Sequence, residues 1–210
     1  MSPFERRTYA EINLQSVTEN FRQIAALAKN SQTLAVIKAD AYGHGSVAIA
    51  KSLVNDAKAF AVAFIEEAIH IRKHGITQPI LLLEGVMSAS ELLLAYEQNF
   101  WVMLHSKEQL LWLRELDADK RPNVWIKVDS GMHRLGLELS SAVAILSEFR
   151  DVLTKQTVLC SHLACADEKT NAINDKQINA IIELAYSFEL DVSLANSAAI
   201  MQLPQSHGSW

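Results

Sequence analysis

Two hydrophobic periods alternate along this chain. Short, nearly continuous apolar runs of strand length recur at Thr33–Ala39, Ala59–Ala63, Pro79–Gly85, Phe100–His105, Asn123–Ser130, Val158–Ala164 and Asp191–Ser197. Between them, apolar residues return every three or four positions, the spacing of one face of a helix. Ser16–Lys29 sets Val17, Phe21, Ile24, Ala25 and Ala28 on such a face. Glu66–His74 runs into Gly75, a residue suited to the left-handed position that ends a helix. Ser88–Gln98 and Ser106–Leu116 open with a serine followed three positions on by Glu91 and Gln109, the spacing of a capping box. Leu139–Phe149 and Lys176–Phe188 complete the helices.

Strand and helix in alternation predict an α/β fold, and unbroken apolar strands predict a parallel sheet covered on both faces. A doubly wound sheet normally carries GxGxxG after its first strand, and only Gly43-His44-Gly45 stands there. A (β/α)8 barrel of the TIM type needs eight strands; seven runs precede the end at Trp210. The expectation is an incomplete barrel, seven strands present, folded as one domain over residues 1–210. Such an open barrel would leave its first and last strands with unpaired edges.

Half of the 210 residues are hydrophobic and a fifth are charged, with a net charge of −5. That is the balance of an ordinary globular domain. No Lys/Arg block marks a nucleic-acid partner. The longest stretch free of acidic and basic residues, 192–210, holds Asn196, Gln202 and Gln205, so no membrane span is expected. Glu5, Arg6, Arg7 and Glu11 interrupt the N-terminus, which argues against a leader peptide. Cys160 and Cys165 read as packing residues of a reduced, cytoplasmic protein. No histidine spacing indicates a metal site.

In a barrel, chemistry sits at the C-terminal ends of the strands, and polar residues interrupt the apolar runs there. Lys38 follows Leu34 to Ile37 and precedes Asp40, Tyr42, Gly43 and Gly45. Two readings fit it: a lysine snorkelling its head to solvent, or an amine set for Schiff-base chemistry with a carbonyl cofactor. Lys127 and Asp129 share one face of the fifth run, so Asp129 can pair with Lys127. Arg134, between Gly131 and Gly136, is a surface arginine or a planar donor for a carboxylate or phenolic oxygen. His162 is a satisfied core imidazole or a ring that stacks on another flat ring. Asn196 and Ser197 open a helix, as a cap or as a phosphate cradle. Lysine, arginine, histidine and hydroxyl at neighbouring strand ends together suit pyridoxal phosphate, a flat phosphorylated carbonyl cofactor.

The stretch Ala35-Val-Ile-Lys38-Ala-Asp-Ala-Tyr42-Gly-His-Gly45 resembles the pyridoxal-phosphate attachment motif of bacterial alanine racemases. Lys127-Val-Asp-Ser-Gly-Met132-His-Arg134-Leu-Gly136 resembles their second signature. Ser161-His162 with Ala166-Asp167, and Asn196-Ser197-Ala-Ala, resemble two shorter ones, in the same order along the chain. Leu203-Pro-Gln-Ser-His207 and Trp210 resemble the approach to the last barrel strand.

The resemblance implies a cofactor-binding barrel followed by a separate β-rich domain. It implies interconversion of L- and D-alanine, an isomerase activity that supplies D-alanine for peptidoglycan. Lys38 would then hold the cofactor covalently and act as one of two bases at the alanine Cα. Tyr42, Asn196 and Ser197 would bind phosphate, and His162 would line the ring. Arg134 would contact the phenolic oxygen and the substrate carboxylate. Lys127 matches a position carbamylated in some members, where the carbamate orients the arginine. The family's second base, a tyrosine from the other domain across a homodimer, lies outside these 210 residues, as does an arginine at the pyridine nitrogen. Each face of the Cα needs its own proton carrier, so this stretch alone is expected to bind cofactor poorly and to be weak or inactive. The competing readings are a one-domain cofactor carrier and a racemase for another amino acid.

Overall fold

The computed structural model describes residues 8–210. Glu5, Arg6 and Arg7, on which the leader-peptide reading partly rests, lie outside the described residues. Seven strands form the wall of a barrel, paired in parallel in chain order. They are β1 (Leu34–Val36), β2 (Ala59–Val62), β3 (Ile80–Leu82), β4 (Phe100–Leu104), β5 (Val124–Asp129), β7 (Val158–Cys160) and β8 (Asp191–Ser193). The two-residue β6 (Leu137–Glu138) pairs with the end of β5, beside the main ladder. Parallel neighbours cannot be joined by a tight turn, so each connection crosses over outside the sheet. The crossovers carry α3 (Ser46–Leu53), α4 (Ile65–Lys73), α5 (Ala89–Glu97), α6 (Lys107–Glu115), α7 (Leu139–Glu148) and α8 (Ala172–Phe188). Helix α1 (Leu14–Leu27) precedes the first strand, α2 (Lys38–Gly43) follows it, and α9 (Ser197–Gln202) follows β8.

Both faces of β2, β3 and β4 are apolar, as continuous runs require. Phe60, Val62, Ile80, Leu82, Val102 and Ile126 join the helices in one core. Their alternate neighbours Ala61, Leu81, Met103, Trp125 and Val158 form a separate cluster inside the barrel. Each large side chain so buried contributes about 1.5–3 kcal/mol. The rings of Trp101, Trp125 and Trp210 pack with centroids 5.1 to 6.2 Å apart and plug the interior.

Four expectations change. The first strand ends at Val36, so Lys38 stands beyond it rather than within a run covered on both faces. A helix unforeseen between the first two strands, α3, buries Ser46, Ile49, Ala50 and Leu53 at helical spacing. Helix α8 begins at Ala172, four residues early, because the Asn171 side chain accepts from the Ile173 N–H and caps it there. The Ser106 hydroxyl accepts from the Gln109 N–H as expected, whereas the Ser88 hydroxyl pairs with that of Ser90.

The gap between β1 and β8 is bridged at its base. Trp210 N–H donates to the Val192 carbonyl (3.1 Å), and Gln32 N–H donates to the Ser209 carbonyl (2.9 Å). The edges expected to be bare are therefore covered at the bottom by residues 208–210.

Gly136 fixes the entry to β6. Its φ is +135°, and an added Cβ would stand 2.6 Å from the Asp129 nitrogen and 2.8 Å from the Val128 carbonyl carbon. Gly136→Ala is expected to lower unfolding free energy by about 2 kcal/mol or more. Urea denaturation checks this; an unchanged midpoint would mean that the loop yields at no cost.

Candidate functional site

The C-terminal strand ends open into a cavity of about 760 Å³. Lys38, Tyr42, Lys127, Arg134, His162 and Ser197 all line it, and Asn196 borders it. The cavity also runs down the gap between β1 and β8, against Val17 and Phe21 of α1. The cationic residues Lys38, Lys127 and Arg134 gather with His162 at the strand-end part, which is the candidate site.

Lys38 is presented by an unusual piece of backbone. Ala39, Asp40, Ala41 and Tyr42 have φ of 52° to 54°, so α2 is a left-handed turn. For L-residues that conformation costs roughly 1–2 kcal/mol each, and none of the four is glycine. Hydrogen bonds hold it in place. Ala41 N–H donates to the Ile37 carbonyl (3.0 Å) and Gly45 N–H to the Asp40 carbonyl (2.9 Å). Ser46 N–H donates to Asp40 Oδ1 at 2.7 Å, which holds the Asp40 carboxyl below its ordinary pKa. Ala39 N–H donates to Glu67 Oε1 at 2.6 Å. The turn carries both Lys38 and Tyr42 to the cavity wall.

Lys127 does not pair with Asp129, contrary to the sequence reading. It points into the barrel, 8 % exposed and in register with Cys160, with no hydrogen bond or ion pair among the described residues. Burial pushes the Cys160 thiol up, against the opposing pull of Lys127. Asp129 is occupied elsewhere. Its Oδ1 accepts from the N–H groups of Gly131 (2.9 Å), Met132 (3.0 Å) and His133 (3.0 Å). Burial works to raise its pKa, but these three donors and nearby His133 prevail and it lies below the usual value. The carboxylate thus shapes the loop that bears Arg134, whose guanidinium has no partner among the described residues.

His162 lies two residues past β7, partly buried. Burial first, then the charges of Lys127, Arg134 and Lys38, lower its pKa to about 4. It is a neutral imidazole at pH 7, and it shares the cavity wall with all three cations. The backbone beneath it is held by a network that sequence reasoning missed. Gln177, fully buried on α8, donates to the Ser130 hydroxyl (3.1 Å) and the His162 carbonyl (3.0 Å), and accepts from Ala164 N–H (2.9 Å). Ser161 joins it, pairing with Ser130 (2.7 Å) and donating to the Val128 carbonyl (2.7 Å). At the far rim the cap of α9 is Asn196, whose Oδ1 accepts from Ala199 N–H at 3.0 Å. That leaves its amide nitrogen and the exposed Ser197 hydroxyl for a ligand.

Fold and rim together define a parallel β/α barrel whose lysine, arginine, imidazole and hydroxyl share one cavity. Residues 12–210 match the family "Alanine racemase, N-terminal domain", and the chain belongs to that family. It is 42 % identical to an alanine racemase of Alteromonas mediterranea over 205 residues, which cover 98 % of this chain and 57 % of that protein. It is 40 % identical to a catabolic alanine racemase of Pseudomonas aeruginosa, over 98 % of this chain and 57 % of that protein. The crystal structure of the biosynthetic enzyme of Pseudomonas aeruginosa superposes with a TM-score of 0.85 at 36 % identity, covering 94 % of this chain and 55 % of that one. The enzyme of Acinetobacter baumannii gives 0.86 at 32 %, with 94 % and 56 % covered. The chain thus spans little more than half the length of these relatives. The likeness favours this family over a one-domain carrier.

The His162 environment has a consequence for pH. The group protonates near 6.5 when exposed and near 4 in the fold, so between these values the unfolded chain holds the extra proton. Its contribution to stability is complete above 6.5 and is lost as pH falls through 4. Urea midpoints measured across that window should fall less steeply in His162→Asn than in the parent; parallel profiles would show that His162 does not carry the effect.

Proposed function

We propose that this chain is the cofactor-bearing barrel of a pyridoxal-phosphate-dependent alanine racemase that interconverts L- and D-alanine. The observation that carries the reading is the convergence of Lys38, Arg134, His162 and Ser197 on one strand-end cavity. The donor set fits the cofactor: an amine for an aldehyde, hydroxyl and amide donors for a phosphate, an uncharged flat ring for a pyridine face. Pyridoxal phosphate, when bound, supplies an electron sink for the charge left at the substrate Cα. Lys38 would hold it covalently and, once the substrate amine has taken its place, would carry a proton to or from one face of that carbon. Tyr42, Asn196 and Ser197 would bind the phosphate. His162, kept neutral, would face the ring without adding charge. Arg134 would hold the carboxylate of alanine and the cofactor's phenolic oxygen. A homologous enzyme of Bacillus anthracis, 32 % identical, has been crystallised with bound L-Ala-P, a ligand consistent with an alanine-sized site.

Racemisation needs a second proton carrier on the opposite face, and the reading assigns that role to a residue outside this chain, supplied across a homodimer. A supply of D-alanine for peptidoglycan in the cytoplasm follows from the same reading. Among the described residues no helix is long and apolar enough to cross a membrane. A racemase for another amino acid stays compatible with the barrel, since substrate size is not set by these residues alone.

Lys127 fits a carbamate. A buried lysine without an anionic partner can give up its proton; the neutral amine then adds carbon dioxide and releases a second proton, and the carbamate anion so formed would orient Arg134. In isotope-labelled bicarbonate, a carbamate resonance that vanishes in Lys127→Arg is expected; a spectrum without it would remove this assignment.

Borohydride reduction of the chain with pyridoxal phosphate, followed by peptide mapping, tests the main reading. The label is expected on Lys38, and a label elsewhere would sink it. In the racemase that carries this barrel, Arg134→Lys should lower turnover by about ten-fold or more, as loss of a bidentate charged contact does, with cofactor still attached. Unchanged kinetics would take Arg134 out of the site.

A further inference from the structure

Glu67 sits in the first turn of α4, and nothing in the proposed chemistry calls on it. Its carboxylate nevertheless serves two places. Oε2 accepts from the N–H groups of Ala63 (2.8 Å) and Phe64 (3.2 Å), local contacts that fasten α4 to the end of β2. Oε1 accepts from the N–H of Ala39 at 2.6 Å, across 28 positions of sequence. Ala39 is the first residue of the left-handed turn and the neighbour of Lys38.

We propose that Glu67 is the positioning residue for Lys38. The Ala39 N–H belongs to the peptide unit that begins at the Lys38 carbonyl carbon. Fixing the plane of that unit fixes the ψ of Lys38, and with it the direction in which the side chain leaves the backbone. The turn's bonds at Ala41, Gly45 and Ser46 act farther on, and Glu67 is the side chain that takes the Ala39 N–H. A strained turn persists only where its surroundings over-determine it, and here the outside contact on its first residue is a charged acceptor. Both oxygens of Glu67 face N–H donors, so the site calls for an acceptor on each side, which a carboxylate provides and a carboxamide does not. Glu67→Gln, of the same shape, keeps one acceptor for its own helix turn and turns an NH₂ group toward Ala39.

The contact stands on geometry alone; its purpose rests on the reading of Lys38 as the cofactor lysine. Two measurements on the 210-residue chain separate these. Amide hydrogen exchange in Glu67→Gln should quicken about ten-fold or more in the 38–43 segment, the scale set by a charge-assisted hydrogen bond, with the first turn of α4 little changed. Pyridoxal phosphate, titrated by absorbance, should bind about ten-fold more weakly for the same reason, with the reduced label still on Lys38. Glu67→Ala should speed exchange in both segments; if that variant does not fold, Glu67→Gln still decides. Exchange that quickens only in α4, or at neither place, would overturn the proposal and leave Glu67 as an ordinary helix cap. Faster exchange at 38–43 with the label on another lysine would uphold the clamp and overturn the role given to Lys38.

Discussion

Parallel hydrogen bonding among seven strands is the constraint from which the rest follows. A parallel ladder makes every strand point the same way, so each connection must return outside the sheet. All seven C-terminal ends then fall on one rim. Lys38 and Ser197 meet at one cavity for that reason, although 159 positions of sequence separate them. The same ladder curls the sheet and turns alternate side chains inward. The inward set is bulky low in the barrel, where the rings of Trp101, Trp125 and Trp210 pack together. The cationic groups lie above them, at the rim, where Lys38, Arg134 and His162 share the cavity wall.

Within that frame the turn after β1 is the costly element. Four consecutive left-handed L-residues oppose the intrinsic preference of the chain, and an ordinary right-handed turn would send the residues after Ile37 along a different path. The compensation is local and polar. Asp40 and Glu67 both use carboxylate oxygens on backbone N–H groups rather than on cations. Asp129 does the same for the loop before Arg134. Three acidic side chains near the site are thus structural, each fixing the backbone of a loop that carries a cationic one.

The architecture was legible because it depends on periodicity. Every expected strand is present, and the parallel pairing follows from runs such as Phe60 to Val62 and Ile80 to Leu82, apolar on both faces. The site residues were legible as types at strand ends. What could not be read was tertiary. Lys38 looked like a strand residue because Ile37 continues the apolar run, whereas the backbone leaves the sheet one residue earlier. Helix α3 hid behind Gly43 and Gly45, although Ile49 and Leu53 keep helical spacing. Asp129 shares parity with Lys127, which suggests a pair, but three N–H groups in the next loop make a stronger claim on it. Gln177 and Glu67 offered no signal at all. One sits on a helix face like any buried amide, and the other stands where a capping glutamate normally would.

The charge balance of the rim joins these observations. Lys38, Lys127 and Arg134 all bear on His162. None of the three has an acidic partner among the described residues, and the carboxylates nearby are committed to backbone. Protonating His162 would add a fourth positive charge to the same spot, and its low pKa records that penalty together with burial. Such a surplus is costly for the protein alone and favourable once anions enter. A cofactor phosphate, a substrate carboxylate and a carbamate on Lys127 would each remove part of it. The left-handed turn and the Asp129 loop hold the backbone that carries Lys38 and Arg134 before any ligand arrives, so less of the electrostatic gain on binding is spent on ordering these loops.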